Sequence, residues 1–305
     1  MLIDMPWLLV DGMWLAYRAL HSWRGGWDPS YRWGLFAGML DQIKMIGSDD
    51  RCLSNRVVIF FDGKGSHRQQ IFSDYKRKRH DLAEDEMATI AAMHEQIDRI
   101  VDRGLPNFGI QVHRRPCLEG DDLIATAVRD LGPAERAIII TSDGDLYQCI
   151  SPSVGWFDPT KGLFIRNDSD FREMKGVTPR DWSRVKSIAG CPGDGVPGVG
   201  GVGEKTAIAY LRGEKITPKR LSAIERGTEV IERNRRLVEL PFKGTDFLRL
   251  DEPDYPNEDG FKNICRNYEL PFDDEGSRLK SWLNWMKGSF SATDMQRRNL
   301  RKRIT

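Results

Sequence analysis

No apolar stretch in this 305-residue chain approaches the ~20 residues that a membrane-spanning helix requires. The first ten residues, MLIDMPWLLV, lack a basic segment and carry Asp4 and Pro6, unlike an export signal. The five cysteines (Cys52, Cys117, Cys149, Cys191 and Cys265) form no C-x-x-C pair and are odd in number. Neither a disulfide framework nor a zinc knuckle is supported. On these absences a soluble, non-exported protein of a reducing cytoplasm is expected. No repeat of solenoid type is visible. Net charge is nearly absent too, at +1, yet 40% of residues are apolar and 30% charged. That composition excludes wholesale disorder, and the length favours one large α/β domain or two lobes sharing a cleft.

The small net charge hides segregation. Residues 64–80 carry six Lys/Arg against one Asp, and the last nine residues carry five Lys/Arg and no acid, whereas 81–86 and 251–259 are acidic. One such run is ordinary solvated surface. Several basic runs beside a carboxylate cluster suggest a polyanionic substrate.

Three apolar runs end in an acidic residue: WLLVDG (7–12), RVVIFFDG (56–63) and RAIIITSDGD (136–145). Continuous β-branched and aromatic runs separated by helix-length segments read as buried strands of a parallel sheet in an α/β fold. Ligands of such sheets sit beyond the carboxyl ends of the strands, so Asp11, Asp62 and Asp143 are expected on one rim. Residues 84–104 read as a helix whose inner face is Met87, Ile90, Ala91, His94, Ile97 and Val101, with Gly104 as a stop and His94 as a helix-face residue. The short strand GIQVHR leads into LEGDDLIATAVRDLG, whose carboxylates fall in the first turn of a helix. Taken alone, those acids are ordinary complements to the helix dipole. VGWFDPTKGLFIR reads as a hairpin, and VTPRDWSRVKSIAG as a helix capped by Thr178. From about residue 176 the chain is expected to be mainly helical, with another helix opened by Thr217-Pro218.

Gly198, Gly200 and Gly203 satisfy G-x-G-x-x-G, but the preceding GCPGDGVP is turn-rich and cannot be the strand that a dinucleotide site needs. Glu204 likewise spoils a phosphate P-loop. What remains is a helix, a glycine hairpin and a second helix starting near Glu204, with Lys205 and Thr206 in its first turn. Glycines permit close backbone approach to phosphate, and amides at a helix start point at it, giving binding without base readout.

In this order the motifs resemble the flap endonuclease or 5'-3' exonuclease family, which includes the 5'-nuclease domains of bacterial DNA polymerase I and stand-alone phage enzymes. LLVDGMWLAYRAL resembles the amino-terminal block. FFDG followed by R-x6-YKRKR resembles the Asp and arch-base block, LEGDD the E-A-D-D block, TSDGDLYQ the T-G-D-K-D-L-x-Q block, and PGVGGVGEKTA the DNA-binding hairpin. The match spans roughly residues 7 to 275.

The resemblance implies a PIN-like parallel central sheet with flanking helices and a helical arch, and a mainly helical carboxyl-terminal lobe with a helix-hairpin-helix motif. The expected divisions are a nuclease domain at 1–175 with the arch at about 64–105, a DNA-binding lobe at 176–290 with the hairpin at 198–203, and a basic tail at 291–305. No polymerase domain is expected to follow. Phosphodiester hydrolysis needs phosphate charge neutralised, a water activated and the leaving oxyanion stabilised, which two divalent ions roughly 4 Å apart can supply. Asp11, Asp62, Glu119, Asp121, Asp122, Asp143, Asp145 and Asp194 are the implied Mg2+ ligands, with Mn2+ able to substitute. Set those eight aside and the net +1 becomes +9.

Lys76 and Arg79 match the YKxxR pattern implied to act at the scissile phosphate. Tyr75 would stack on a terminal base, and Arg68 and Arg18 would contact the phosphate path. Gly198, Gly200, Gly201, Gly203, Lys205 and Thr206 form the implied DNA hairpin, with K+ a further candidate at its carbonyls. The chain departs from the family's G-D-x-x-D at Gly190-Cys191-Pro192-Gly193-Asp194, where one second-metal acid is missing, so the second ion is expected to bind weakly. The expected activity is a monomeric 5'-3' exonuclease and flap endonuclease on branched or 5'-ended duplex DNA in replication or repair. A replicative polymerase or single-strand-binding protein is a candidate partner. The alternatives are a PIN-like endoribonuclease and a branched-DNA-binding protein with weakened nuclease activity.

Overall fold

The computed structural model describes residues 5–22, 34–77, 84–251, 258–267 and 277–287. Arg79, the tip of the arch segment and the basic tail lie outside them. The strands are β1 (Trp7–Asp11), β2 (Val57–Phe61), β3 (Gln111–Arg114), β4 (Ala137–Ile140), β5 (Val154–Asp158) and β6 (Leu163–Ile165). They form one sheet in the order β3-β2-β1-β4-β5-β6, parallel except for β6. The helices of this part are α1 (Gly12–Ser22), α2 (Gly34–Gly47), α3 (His67–Ile71), α4 (Glu84–Arg99), α5 (Gly120–Arg129) and α6 (Asp168–Lys175).

Period-two alternation explains why the strands read as unbroken apolar runs. Leu8, Val10, Val57, Ile59, Phe61, Ile138 and Ile140 face a core built with α1, α2 and α4. Trp7, Leu9, Val58, Phe60, Ala137 and Ile139 face the opposite core, beneath α5. A sheet covered on both sides has no solvated face to fill with polar residues. The strand order reverses between β1 and β4, opening a crevice at their carboxyl ends.

The expected elements are present, but the inner face of α4 is shifted. Met93, Ile97 and Ile100 are buried, while Met87, Ala91 and His94 are exposed. The buried three keep regular i, i+4, i+7 spacing, and the helix widens into a π turn only from the last of them, at Ile100–Gly104.

After β6 the chain is mainly helical: α7 (Trp182–Ala189), α8 (Glu204–Leu211), α9 (Pro218–Arg226), α10 (Thr228–Val238), α11 (Glu258–Asn267) and α12 (Ser277–Met286). Thr178 accepts the Asp181 amide ahead of α7, as its sequence implies. A two-stranded ribbon, β7 (Gly190–Cys191) with β8 (Val196–Pro197), follows α7. Trp282, Leu283, Trp285 and Met286 of α12 are buried in the first core, with α2, so packing crosses the expected division at residue 175. No helix among the described residues is long and apolar enough to cross a membrane.

Candidate active site

Asp11 closes β1 and Asp143 follows β4, on the two sides of the crevice. The Asp11 carboxylate accepts the Trp14 amide at 2.9 Å and the Thr141 hydroxyl at 2.8 Å, so β4 orients the β1 acid. Thr141 also accepts the Asp143 amide, and Asp143 accepts the Asp145 amide at 2.7 Å. Asp62, just past β2, accepts the Gly120 amide at 2.7 Å and thereby ties the strand end to the start of α5. A Cβ at position 120 would stand 3.0 Å from the Phe60 carbonyl oxygen, so glycine permits this approach.

These acids strain against one another. Burial, and then the fields of Asp145, Asp11 and Asp194, push the Asp143 carboxyl up to about 7. Asp121 is pushed well up by burial and by Asp143, Asp11 and Asp62, and Asp11 is raised by burial and by Asp62. A rim of hard oxygen donors whose charges disfavour one another fits a divalent cation such as Mg2+.

Asp122 does not join that rim. Successive helical side chains diverge by about 100°, and Asp122 turns inward from Asp121 to full burial. Its oxygens take both Arg68 terminal nitrogens at 2.6 and 2.7 Å, the Phe242 amide at 2.8 Å and the Glu119 amide at 3.2 Å. The expectation of a metal ligand here is corrected: every lone pair has a protein donor. Arg68 is corrected with it. The guanidinium is 2% exposed, bonds the Leu237 carbonyl as well, and cannot reach a phosphate path.

Tyr75 is likewise buried, in a small core with Cys191, Val196, Leu237 and Val238. Its hydroxyl donates to Glu119 at 3.0 Å, so no face is free to stack on a base. Burial pushes this phenol upward, reinforced by the Glu119 charge. The neighbouring Lys76 stands at the rim: its ammonium is 2.7 Å from the same Glu119 oxygen and 3.9 Å from Asp194. Arg18 points elsewhere, toward the Thr160 hydroxyl of the β5–β6 turn at 3.5 Å, and over the Trp14 ring.

Asp145, Cys191 and Asp194 place one ligand atom each within 4.8 Å of one another, so Cys191 occupies the position expected of the missing acid. The Cys191 thiol donates to Asp145 Oδ2 at 2.9 Å. Lys186, on α7, reaches Asp145 Oδ1 at 2.9 Å. Lys186 and the orienting Thr141 are site residues that the sequence reading missed. A lysine on an amphipathic helix carries no signal of its own, whereas the threonine of TSDGD directly follows a predicted strand.

The glycine segment alternates in a regular way. Val199 and Val202 are buried, and the Val199 amide bonds the Ile188 carbonyl at 2.8 Å, pinning the turn to α7. Gly200, Gly201 and Gly203 face outward with open space above them. Gly198 differs, since a Cβ there would stand 2.2 Å from the Ala189 carbonyl oxygen. It is a packing glycine within the turn.

The family model described as 5'-3' exonuclease, N-terminal resolvase-like domain, matches residues 6–176. The chain belongs to this 5'-3' exonuclease family. It is similar to the thermostable DNA polymerase I of Thermus thermophilus, at 30% identity over 86% of this chain and 32% of that protein. DNA polymerase I of Mycobacterium leprae is 29% identical over 76% of this chain and 27% of its own length. The exonuclease-family chain therefore spans about a third or less of these curated relatives.

Solved structures share its fold. The bacteriophage T5 5'-exonuclease with bound zinc ions superposes with a TM-score of 0.65 at 20% identity, covering 87% of this chain and 99% of that one. A T5 flap endonuclease complex with DNA and metal ions gives 0.66 at 20% identity, over 87% and 99%. Flap endonuclease-1 of Methanococcus jannaschii gives 0.56 at 15%, over 94% of each.

Proposed function

We propose that the chain is a divalent-metal-dependent 5'-nuclease that cleaves DNA at 5' ends and at branched or flap structures, in replication or repair. The observation that carries this reading is the crowding of Asp11, Asp62, Asp121 and Asp143 at the β1/β4 crevice, where burial and mutual repulsion raise the carboxyls of Asp11, Asp121 and Asp143. Such a rim wants a cation, and the basic body around it wants a polyanion.

A bound Mg2+ would lower the pKa of a coordinated water and neutralise phosphate charge. Asp11, Asp62, Asp121 and Asp143 would hold it. Glu119 would sit at the edge of that site and position Lys76, whose ammonium would meet the scissile phosphate at the rim. Arg79 would act beside it, and Arg18 would meet the phosphate path on the β5 side. The outward glycines 200, 201 and 203, with Lys205 and Thr206 at the start of α8, would seat duplex phosphates through backbone amides in the manner of a helix-hairpin-helix, with K+ as a candidate ion at the carbonyls. T5 relatives crystallised with metal ions and with DNA support the same assignment.

The test is cleavage and binding of 5'-flap DNA by Asp62→Asn and Asp143→Asn proteins, with single-stranded RNA as the control substrate. Cleavage should be lost while DNA affinity is largely kept, and RNA should remain uncut. Near-normal turnover by either variant would overturn the metal assignment; cutting of RNA in preference to flaps would replace the substrate class.

A further inference from the structure

The second cluster does not fit a second hard ion. Asp145 is already met by a cation of the chain, the Lys186 ammonium at 2.9 Å on one oxygen, with the Cys191 thiol at 2.9 Å on the other. Where an acid at 191 would add charge, a neutral thiol stands, and sulfur is a poor partner for Mg2+. Of the two acids left there, Asp145 is neutralised by Lys186, and Asp194 has the Lys76 ammonium 3.9 Å away.

Lys186 is held as a fixed group rather than a roaming surface charge. Its ammonium lies 5.6 Å from the centre of the Trp182 ring, at cation–π range. That indole is itself buried and donates to the Gly144 carbonyl at 2.7 Å, in the loop that carries Asp143 and Asp145. The lysine, the ring and the acid-bearing loop thus form one rigid unit.

We propose that Lys186 takes the place of a second metal ion, so that this nuclease works with one divalent ion and one built-in ammonium. The inference rests on the metal-dependent reading above, and adds that the cation beside Asp145 is supplied by the chain. A lysine positioned in this way needs no recruitment from solvent and is indifferent to the free metal concentration. It also explains how the family acid can be absent at 191 without leaving Asp145 uncompensated.

The experiment is titration of the metal-stripped 305-residue chain with Mn2+ alone, counting bound ions by electron paramagnetic resonance. The unaltered protein should bind one Mn2+ tightly. Cys191→Asp and Lys186→Met should each create or tighten a second site, by roughly ten-fold or more in affinity, as changes next to a metal typically produce. Lys186→Arg, which keeps the charge, should still bind one ion. Thermal melts check each variant; if Lys186→Met does not fold, the Cys191→Asp count decides alone. Two Mn2+ of similar affinity in the unaltered protein would overturn the inference while leaving the nuclease reading intact. Absence of any binding, together with absence of DNA cleavage, would remove both.

Discussion

The backbone amide of Lys76 donates to the carbonyl of Asp194 at 2.8 Å, and Lys76 holds a left-handed φ of 57° to do so. The turn that carries Lys76 is therefore fastened to the loop of the carboxyl-terminal half that carries Asp194. Gly195 makes room for the contact: it has a φ of 71°, and a Cβ there would stand 3.1 Å from the Asp74 carbonyl oxygen. Strain of this kind gathers at functional sites.

Lys76 variants should separate strain from chemistry. Lys76→Ala and Lys76→Gly both remove the ammonium, and both should slow single-turnover cleavage much more than they weaken DNA binding. Only glycine relieves the left-handed backbone, so the Gly variant should be more stable than the Ala variant by about 1 kcal/mol. Matching melting temperatures would mean that the strain is not there, and parental cleavage rates would remove Lys76 from the chemistry.

Arg68→Met should destabilise the protein by about 3–5 kcal/mol, because it leaves Asp122 charged and unpaired in the interior. Asp122→Asn should also lower the melting temperature while leaving the number of bound Mn2+ ions unchanged. Loss of an ion from Asp122→Asn would restore that residue to the metal set. A DNA salt dependence altered by Arg68→Lys, with stability kept, would restore the arginine to the phosphate path.

The raised rim carboxyls predict an inverse pH dependence in chelated protein. Asp143 is held at about 7, and Asp11 and Asp121 move in the same direction. A carboxyl raised above its unfolded value contributes stability below pH ~4 that is lost as pH rises through about 7. Metal-free protein should therefore melt lower near pH 8 than near pH 5.5. Added Mg2+ should raise the melting temperature more at the higher pH, where it displaces no proton. Thermal melts in chelator and in Mg2+ at both pH values check this, and equal Mg2+ shifts would contradict it.

The hairpin glycines should divide into two classes. Gly200 and Gly203 have open space above them, so Gly200→Val and Gly203→Val should fold normally yet weaken binding to duplexes of every sequence alike. Gly198→Ala should impair folding instead, since its methyl would meet the Ala189 carbonyl. Affinity should fall steeply with salt for the parent protein. Unchanged DNA affinity in both valine variants would take phosphate binding away from this turn.

The strand ends were legible because an apolar run closing on an acid has few other meanings in a parallel sheet. The interior of the site was less so. Asp121 and Asp122 are adjacent in sequence, and only helical phase sends one to the rim and the other to Arg68, 54 residues away. Tyr75 and Lys76, neighbours in a turn, also part, the ring into a core and the ammonium to the rim, although both end on the same Glu119 oxygen. The face of α4 was misjudged because Ile90, Ala91, Ala92 and Met93 are consecutive apolar residues that satisfy neighbouring helical phases equally well, and only packing selects Met93, Ile97 and Ile100. Cys191 could be placed from the resemblance to the family's G-D-x-x-D, whereas Lys186 could not, because its partner Asp145 is reached only when α7 packs beside the β4 loop.

The docking of α12 bears on how the polypeptide is made. Trp285 lies so close to Gly47 that a Cβ there would stand 2.4 Å from its ring, and the Asn55 side chain donates to the Met286 carbonyl at 2.6 Å. On the ribosome, a nascent chain that has completed all six strands still lacks the tryptophans that seal the α2 side. Its sheet can assemble, but that face stays open until residue 286 has emerged, and closing a loop of this length costs entropy before it yields contacts. Substitutions in α12 should therefore be felt as aggregation of newly made protein, at a distance from every residue of the rim.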